Sequence, residues 1–104
     1  MTEEWRKVGG SDKYEVSNLG HVRRKVSYNR YRKHKPYRNK RGYYICHIVQ
    51  NGRRKTLSLA NLVATMFVNN ECNGWVVRHK NGDVSDNKSD NLYWVNPKRR
   101  IGWE

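Results

Sequence analysis

The sequence predicts an α+β fold: an N-terminal antiparallel β-sheet module, one core helix, then a strand–loop–strand hairpin leading into a truncated final helix. Three observations carry this reading. β-prone runs punctuated by Asn- and Gly-bearing turns fill the first half of the chain. Only residues 58–68 change to a helical period. Near the end, two short apolar runs flank a polar loop rich in Asp, Asn and Gly. At 104 residues there is room for one modest core. Residues 1–57 read as a basic β-sheet module and residues 58–104 as a ββα module, packed together as one unit.

Residues 14–26, YEVSNLGHVRRKV, read as two strands joined by Ser17-Asn18-Leu19-Gly20, where Asn18 and Gly20 suit unusual turn dihedrals. Tyr14, Val16, Val22 and Val26 are expected to form the apolar face, with Trp5 and Val8 against it. Residues 27–41 carry seven Lys and Arg interleaved with Tyr28, Tyr31 and Tyr37, and little of this can be buried. An exposed loop or a ragged sheet edge is expected there. Residues 43–57 read as a hairpin about Gln50-Asn51-Gly52, because Asn-Gly between β-prone runs favours a two-residue turn.

In residues 58–68, Leu59, Leu62, Val63, Met66 and Phe67 recur on one helical face, with Ser58 as N-cap. This stripe is core. Val76, Val77, Leu92, Trp94 and Val95 mark the last two strands. Asn96-Pro97 then opens a final helix of about two turns, Pro suiting the first helical position. Trp5, Tyr93, Trp94 and Trp103 are expected in core and hairpin packing.

Charge narrows the function. Lys and Arg total 22 against 9 Asp and Glu, a formal net charge of +13. The signs are segregated: no acid lies between Glu15 and Glu71, where 13 basic residues do. Those residues are Arg23, Arg24, Lys25, Arg30, Arg32, Lys33, Lys35, Arg38, Lys40, Arg41, Arg53, Arg54 and Lys55. A solvated surface would mix the signs, whereas a one-signed stretch suits a face that tracks phosphates. Interleaved tyrosines can hydrogen-bond phosphates or lie against sugars. Duplex DNA is the expected partner, with RNA an open alternative.

Other classes fare poorly. The start, MTEEWRK, has no apolar h-region, and no run approaches the roughly 20 apolar residues of a spanning helix. A cytoplasmic protein with no membrane partner is expected. Cys46 and Cys72 form no C-x-x-C, so neither a zinc site nor a disulfide framework is indicated. His21, His34 and His47 show no ligand spacing to either cysteine.

Three segments, in order, carry a family resemblance. W-x-x-V-x-G-x-x-x-x-Y-E-V-S-N-L-G-x-V-R, residues 5–23, resembles the small DNA-binding module that opens many phage and intron HNH homing endonucleases. L-x-N-L-V-A-x-x-F, residues 59–67, resembles the segment that follows it there. H-K-N-G-D-V-S-D-N-K-S-D-N-L-Y-W-V, residues 79–95, resembles the HNH loop. The resemblance implies a ββα-metal core, HNH-like, that hydrolyses DNA phosphodiesters with one divalent ion. It assigns His79 as the general base. Asn91 becomes the central Asn that steadies His79 and its loop, and Asn87 one of the residues that shape the turn. A phage or mobile-element origin, and then a host cytoplasm, is implied with it.

The metal positions depart from that pattern. The residue before the catalytic His is usually Asp or Asn, and here it is Arg78. The ligand on the terminal helix is usually Asn or His, and counting forward places Arg100 there. Ala60 stands where the family often has a His. A guanidinium has no lone pair to offer a metal. Two unit charges about 4 Å apart interact by about 4 kcal/mol at an effective dielectric of 20, and a divalent ion doubles the repulsion. Both arginines suit phosphate instead.

The expected protein is therefore a duplex DNA binder derived from an HNH homing endonuclease. It is catalytically inactive, lacks a metal or other cofactor, and acts by occupying DNA as a repressor or in interference. Asp83, Asp86 and Asp90 are expected to cap turns. The alternative is a site-specific nicking endonuclease using His79 and one Mg²⁺ or Mn²⁺. A second alternative is an RNA or ribosome binder.

Overall fold

The computed structural model describes residues 2–8, 13–50, 52–68 and 76–96. β1 (Trp5–Lys7), β2 (Tyr14–Ser17), β3 (Val22–Ser27) and β4 (Arg30–Lys33) form an antiparallel sheet in that order. β5 (Tyr37–Arg38), β6 (Tyr44–Gln50) and β7 (Arg53–Ser58) form a second. Gln50 pairs with Arg53, so the hairpin closes over two residues, as Asn-Gly predicts. α1 (Leu59–Phe67) follows, and β8 (Val76–His79) pairs antiparallel with β9 (Leu92–Val95). A turn of 3-10 helix, Ser89–Asn91, leads into β9. The α+β class with antiparallel sheets and one helix is thus observed among the described residues.

The pieces share an interior. Val16, Val22 and Tyr14 from the first sheet, Cys46 and Ile48 from β6, five residues of α1 and Leu92 of β9 belong to one buried cluster. Ser58 caps α1, its side chain accepting from the Asn61 N–H at 3.4 Å. Leu59, Leu62 and Val63 of the expected stripe are buried, with Met66 and Phe67 packed at its margin. The Arg6 guanidinium donates to the Met66 carbonyl and lies 4.6 Å over the Phe67 ring. A cation there also meets the negative end of the helix. Cys46 is sealed in, and burial pushes its thiol up to about 12.

Three expectations change, and one of two alternatives is selected. Residues 27–41, expected as an exposed loop or a ragged sheet edge, contribute the end of β3 and the edge strands β4 and β5, every residue of both being exposed. Val26 is 51% exposed and no part of the core. β2 covers β3 only from Val22 to Arg24, and a register shift between Lys25 and Ser27 carries the hairpin beyond the interior. Tyr93 faces outward from β9 instead of packing in the core. Trp5 lies half-buried on the outer face of the first sheet, where Arg23 covers it. Cys72, Trp103, Arg100 and the helix expected after Asn96 lie outside the described residues.

Candidate nucleic-acid interface

Cross-strand pairing concentrates like charge on the β3–β4 hairpin. Arg24 stands opposite Arg32 and Arg23 opposite Lys33, with Lys25 opposite Tyr31. Like charges directly opposite destabilise a sheet pair, so this arrangement is relieved by a polyanion laid across it. Arg24, Lys25, Arg30, Arg32 and Lys33 are all exposed, as is Tyr28, 84% accessible at the turn. Asn29 takes the positive φ of 59° that this tight turn needs.

Arg23 differs from its neighbours. Its guanidinium is clamped between the Trp5 ring at 4.1 Å and the Tyr31 ring at 3.9 Å. Glu15 accepts from Nε at 2.8 Å and lies 2.7 Å from the terminal nitrogen. Its donors and faces are largely engaged, so Arg23 ties β1, β2 and β4 together across β3. Sequence spacing could not separate it from Arg24, because the separation depends on which strand face meets Trp5.

The second sheet continues the basic surface. Lys35, Arg38, Lys40, Arg41, Arg53, Arg54 and Lys55 are exposed. Arg38 donates from Nε to the Gly42 carbonyl at 3.2 Å. His34 and His47 serve the joint between the sheets. His34 Nε2 meets the His47 carbonyl at 2.6 Å, and the Tyr37 ring stacks on His47 at 4.9 Å.

The loop between β8 and β9 is built differently. Asn91 is buried, its Nδ2 donating to Asn81 Oδ1 at 3.0 Å and to the Asp86 carbonyl at 2.9 Å. Its Oδ1 accepts from the Asn81 N–H at 3.2 Å. Asp83 caps a turn by accepting from the Ser85 hydroxyl at 2.6 Å and backbone N–H at 3.0 Å. These bonds hold the Asp83 carboxyl below its ordinary range against a small burial penalty, and the charges of Arg38 and His79 add to the pull. Asp86 accepts from Asn81 Nδ2 at 3.2 Å and the Lys88 N–H at 3.4 Å. Asp83 and Asp86 therefore cap turns.

His79 ends β8, and its Nε2 meets Asn87 Oδ1 at 2.9 Å. Asn87, not Asn91, is thus its side-chain partner; Asn91 steadies the loop and reaches the histidine only through it. The reason is local: Asn91 points into the loop to bridge Asn81 and Asp86, while Asn87 turns back toward the strand end. The N-terminal module supports this arrangement. The Asn18 carbonyl accepts from the Ser89 N–H at 2.7 Å, and Gly20 (φ +86°) approaches so closely that a Cβ there would lie 3.1 Å from the Asn87 carbonyl oxygen. The Ser17–Gly20 turn is therefore a platform for the histidine's loop.

His79 lines a recess of about 200 Å³ with Arg78, Tyr43, Val84 and Tyr93. Arg78 is exposed and pairs across the hairpin with Tyr93, and the Tyr43 ring lies 6.4 Å from the imidazole. Tyr43 and Tyr93 were not legible as recess residues, since both read as ordinary β-strand aromatics.

Comparison with known proteins agrees with this geometry. Residues 3–49 match the NUMOD4 motif. Over 99 residues the chain is 35% identical to DNA endonuclease I-HmuI of Bacillus phage SP01, covering 94% of this chain and 55% of that protein. It is 38% identical over 98 residues to the uncharacterized HNH endonuclease L245 of Acanthamoeba polyphaga mimivirus, covering 94% and 28%. A solved structure titled for DNA binding and cleavage by the HNH homing endonuclease I-HmuI matches with a TM-score of 0.82. That match has 35% identity and spans 91% of this chain and 53% of that one. Over nearly all of its own length the chain is similar to HNH homing endonucleases. It spans about half the length of I-HmuI and less of the mimivirus protein.

Among the described residues, no three His, Cys, Asp or Glu side chains converge to hold an ion. The position before His79 presents a guanidinium, and Asp83 and Asp86 are committed to turns. A guanidinium in that place offers no lone pair to an ion, and Arg100, the position expected to face it from the terminal helix, lies outside the described residues. Also among the described residues, no helix is long and apolar enough to cross a membrane.

Proposed function

We propose that this chain binds duplex DNA and holds a backbone phosphate in the His79 recess without cutting the strand. One observation carries the second half of that statement: Arg78 stands beside His79 on β8 and lines the same recess. A guanidinium there offers a fork of N–H donors matched to two phosphate oxygens, which favours holding the diester. The first half is supported by the opposed like charges of β3 and β4, and by a relative whose title describes DNA binding and cleavage. Arg24, Lys25, Arg30, Arg32 and Lys33 would grip the duplex on one side and Arg78 on the other. Function then follows from occupancy, as a repressor or by interference at the site.

The nicking reading has one observation in its favour. An accepting Asn87 Oδ1 puts the imidazole proton on Nε2 and leaves Nδ1 as the basic nitrogen. Incubation of supercoiled plasmid with the purified chain in Mg²⁺ or Mn²⁺ separates the two. The expected result is a shifted but unnicked plasmid. Nicking that disappears in His79→Ala would establish the enzyme instead.

A further inference from the structure

A second recess, of about 350 Å³, lies where the N-terminal sheet meets the loop after His79, and its lining is divided by chemistry. Leu19, Pro36, Tyr44 and Leu59 supply apolar surface, while Lys33, Lys35 and Lys88 supply charge. All three lysines are exposed, and Leu59 belongs to the core, so a solid apolar wall stands behind a cationic rim. His21, also on the lining, is tied to Glu3 at 2.5 Å, and Asp86 accepts from the Asn81 side-chain amide and the Lys88 backbone N–H. The three lysines outnumber the single carboxylate on the lining, so the opening is net cationic. Its volume falls at the lower end of ligand clefts, about 300–1,000 Å³.

We infer that this recess takes one unstacked nucleotide of a bound strand, turned out of the duplex or in a single-stranded stretch, its base against the apolar wall and its phosphate on the lysine rim. The inference deepens the nucleic-acid reading above and rests on it. A free anion would use the rim and leave the wall exposed; a purely apolar guest would bring nothing to the lysines. A nucleotide matches both halves, since every base has an apolar face and every linkage one negative charge. The recess also touches Gly20 and Asn87, so its occupant would bear on the joint that supports the His79 loop.

The test is a ¹H–¹⁵N NMR titration of the full chain with deoxyadenosine 5′-monophosphate, deoxyadenosine and inorganic phosphate. The nucleotide is expected to shift the amides of Gly20, Tyr44 and Lys88, with a dissociation constant on the order of 1 mM. Each fragment alone should bind at least fivefold more weakly. Lys35→Ala with Lys88→Ala should weaken the nucleotide at least fivefold and leave the deoxyadenosine shifts unchanged; the unaltered remainder of the spectrum reports that the variant is folded. Phosphate binding as tightly as the nucleotide overturns the proposal, as do shifts centred on the β3–β4 hairpin. A random duplex titrated into the same sample separates the two readings. Duplex binding with no mononucleotide in the recess rejects the recess alone, whereas nucleotide binding without duplex binding rejects the wider interface.

Discussion

The β3–β4 hairpin and the loop after His79 are both polar, yet they treat their polar groups in opposite ways. In the loop, Asn81, Asp83, Asp86, Asn87 and Asn91 bond to one another and to nearby backbone. On the hairpin, Arg24 faces Arg32 and Lys33 faces an already engaged Arg23. The loop satisfies itself and so fixes a shape. The hairpin keeps Arg24 and Arg32 opposed and exposed, which is the basis for proposing it as an interface. Polarity alone cannot distinguish a scaffold from an interface; the destination of each hydrogen bond can.

Four perturbations sharpen that contrast. The largest is Asn91→Ala, which removes three hydrogen bonds from a buried site and should destabilise the fold by on the order of 3 kcal/mol in urea unfolding. A loss under about 1 kcal/mol would show that the loop does not depend on it. Arg30→Ala, Arg32→Ala and Lys33→Ala together should do the reverse, leaving stability within about 0.5 kcal/mol. The log–log salt slope of duplex binding should fall by about 0.9 for each phosphate no longer neutralised. An unchanged slope removes the hairpin from the interface.

Gly20→Ala probes the joint between the regions. Positive φ and the approach to Asn87 should cost about 1–2 kcal/mol, and the His79 ring signals should move in NMR spectra. Unmoved His79 signals would uncouple the platform from the histidine. The smallest effect concerns acid. Burial raises the Glu3 carboxyl slightly, but hydrogen bonds with Ser17 and His21 and the charges of His21 and Arg23 outweigh it and hold Glu3 below 4.5. A depressed folded-state value means stability present at neutral pH and lost as pH falls through that value. Glu3→Gln should flatten the melting curve's dependence on pH below about 4.5, and an equally steep dependence would count against this role.

Local chemistry was the legible part of this molecule. Ser58 as N-cap, the two-residue hairpin turn and the apolar stripe of α1 depend on neighbours a few positions away, and each was readable. The order of segments likewise pointed to the HNH relatives. What escaped depends on strand faces and long-range docking. Arg23 and Arg24 are adjacent in sequence, yet only the first meets Trp5 and Glu15. Val26 continues the apolar alternation of β3 but runs past the interior. The pairing of His79 with Asn87 follows from the path of a loop seated on a turn about seventy residues earlier in the chain, which no spacing reveals.

The tip of the β3–β4 hairpin carries one last consequence. Tyr28 is 84% exposed and outside the buried cluster, so the interior imposes no veto on its side chain, whereas Asn29 is constrained by its positive φ. If the hairpin reads DNA as proposed, an exchange at position 28 would alter the target while the chain folds as before. Innovation in recognition is thereby separated from the hazards of misfolding.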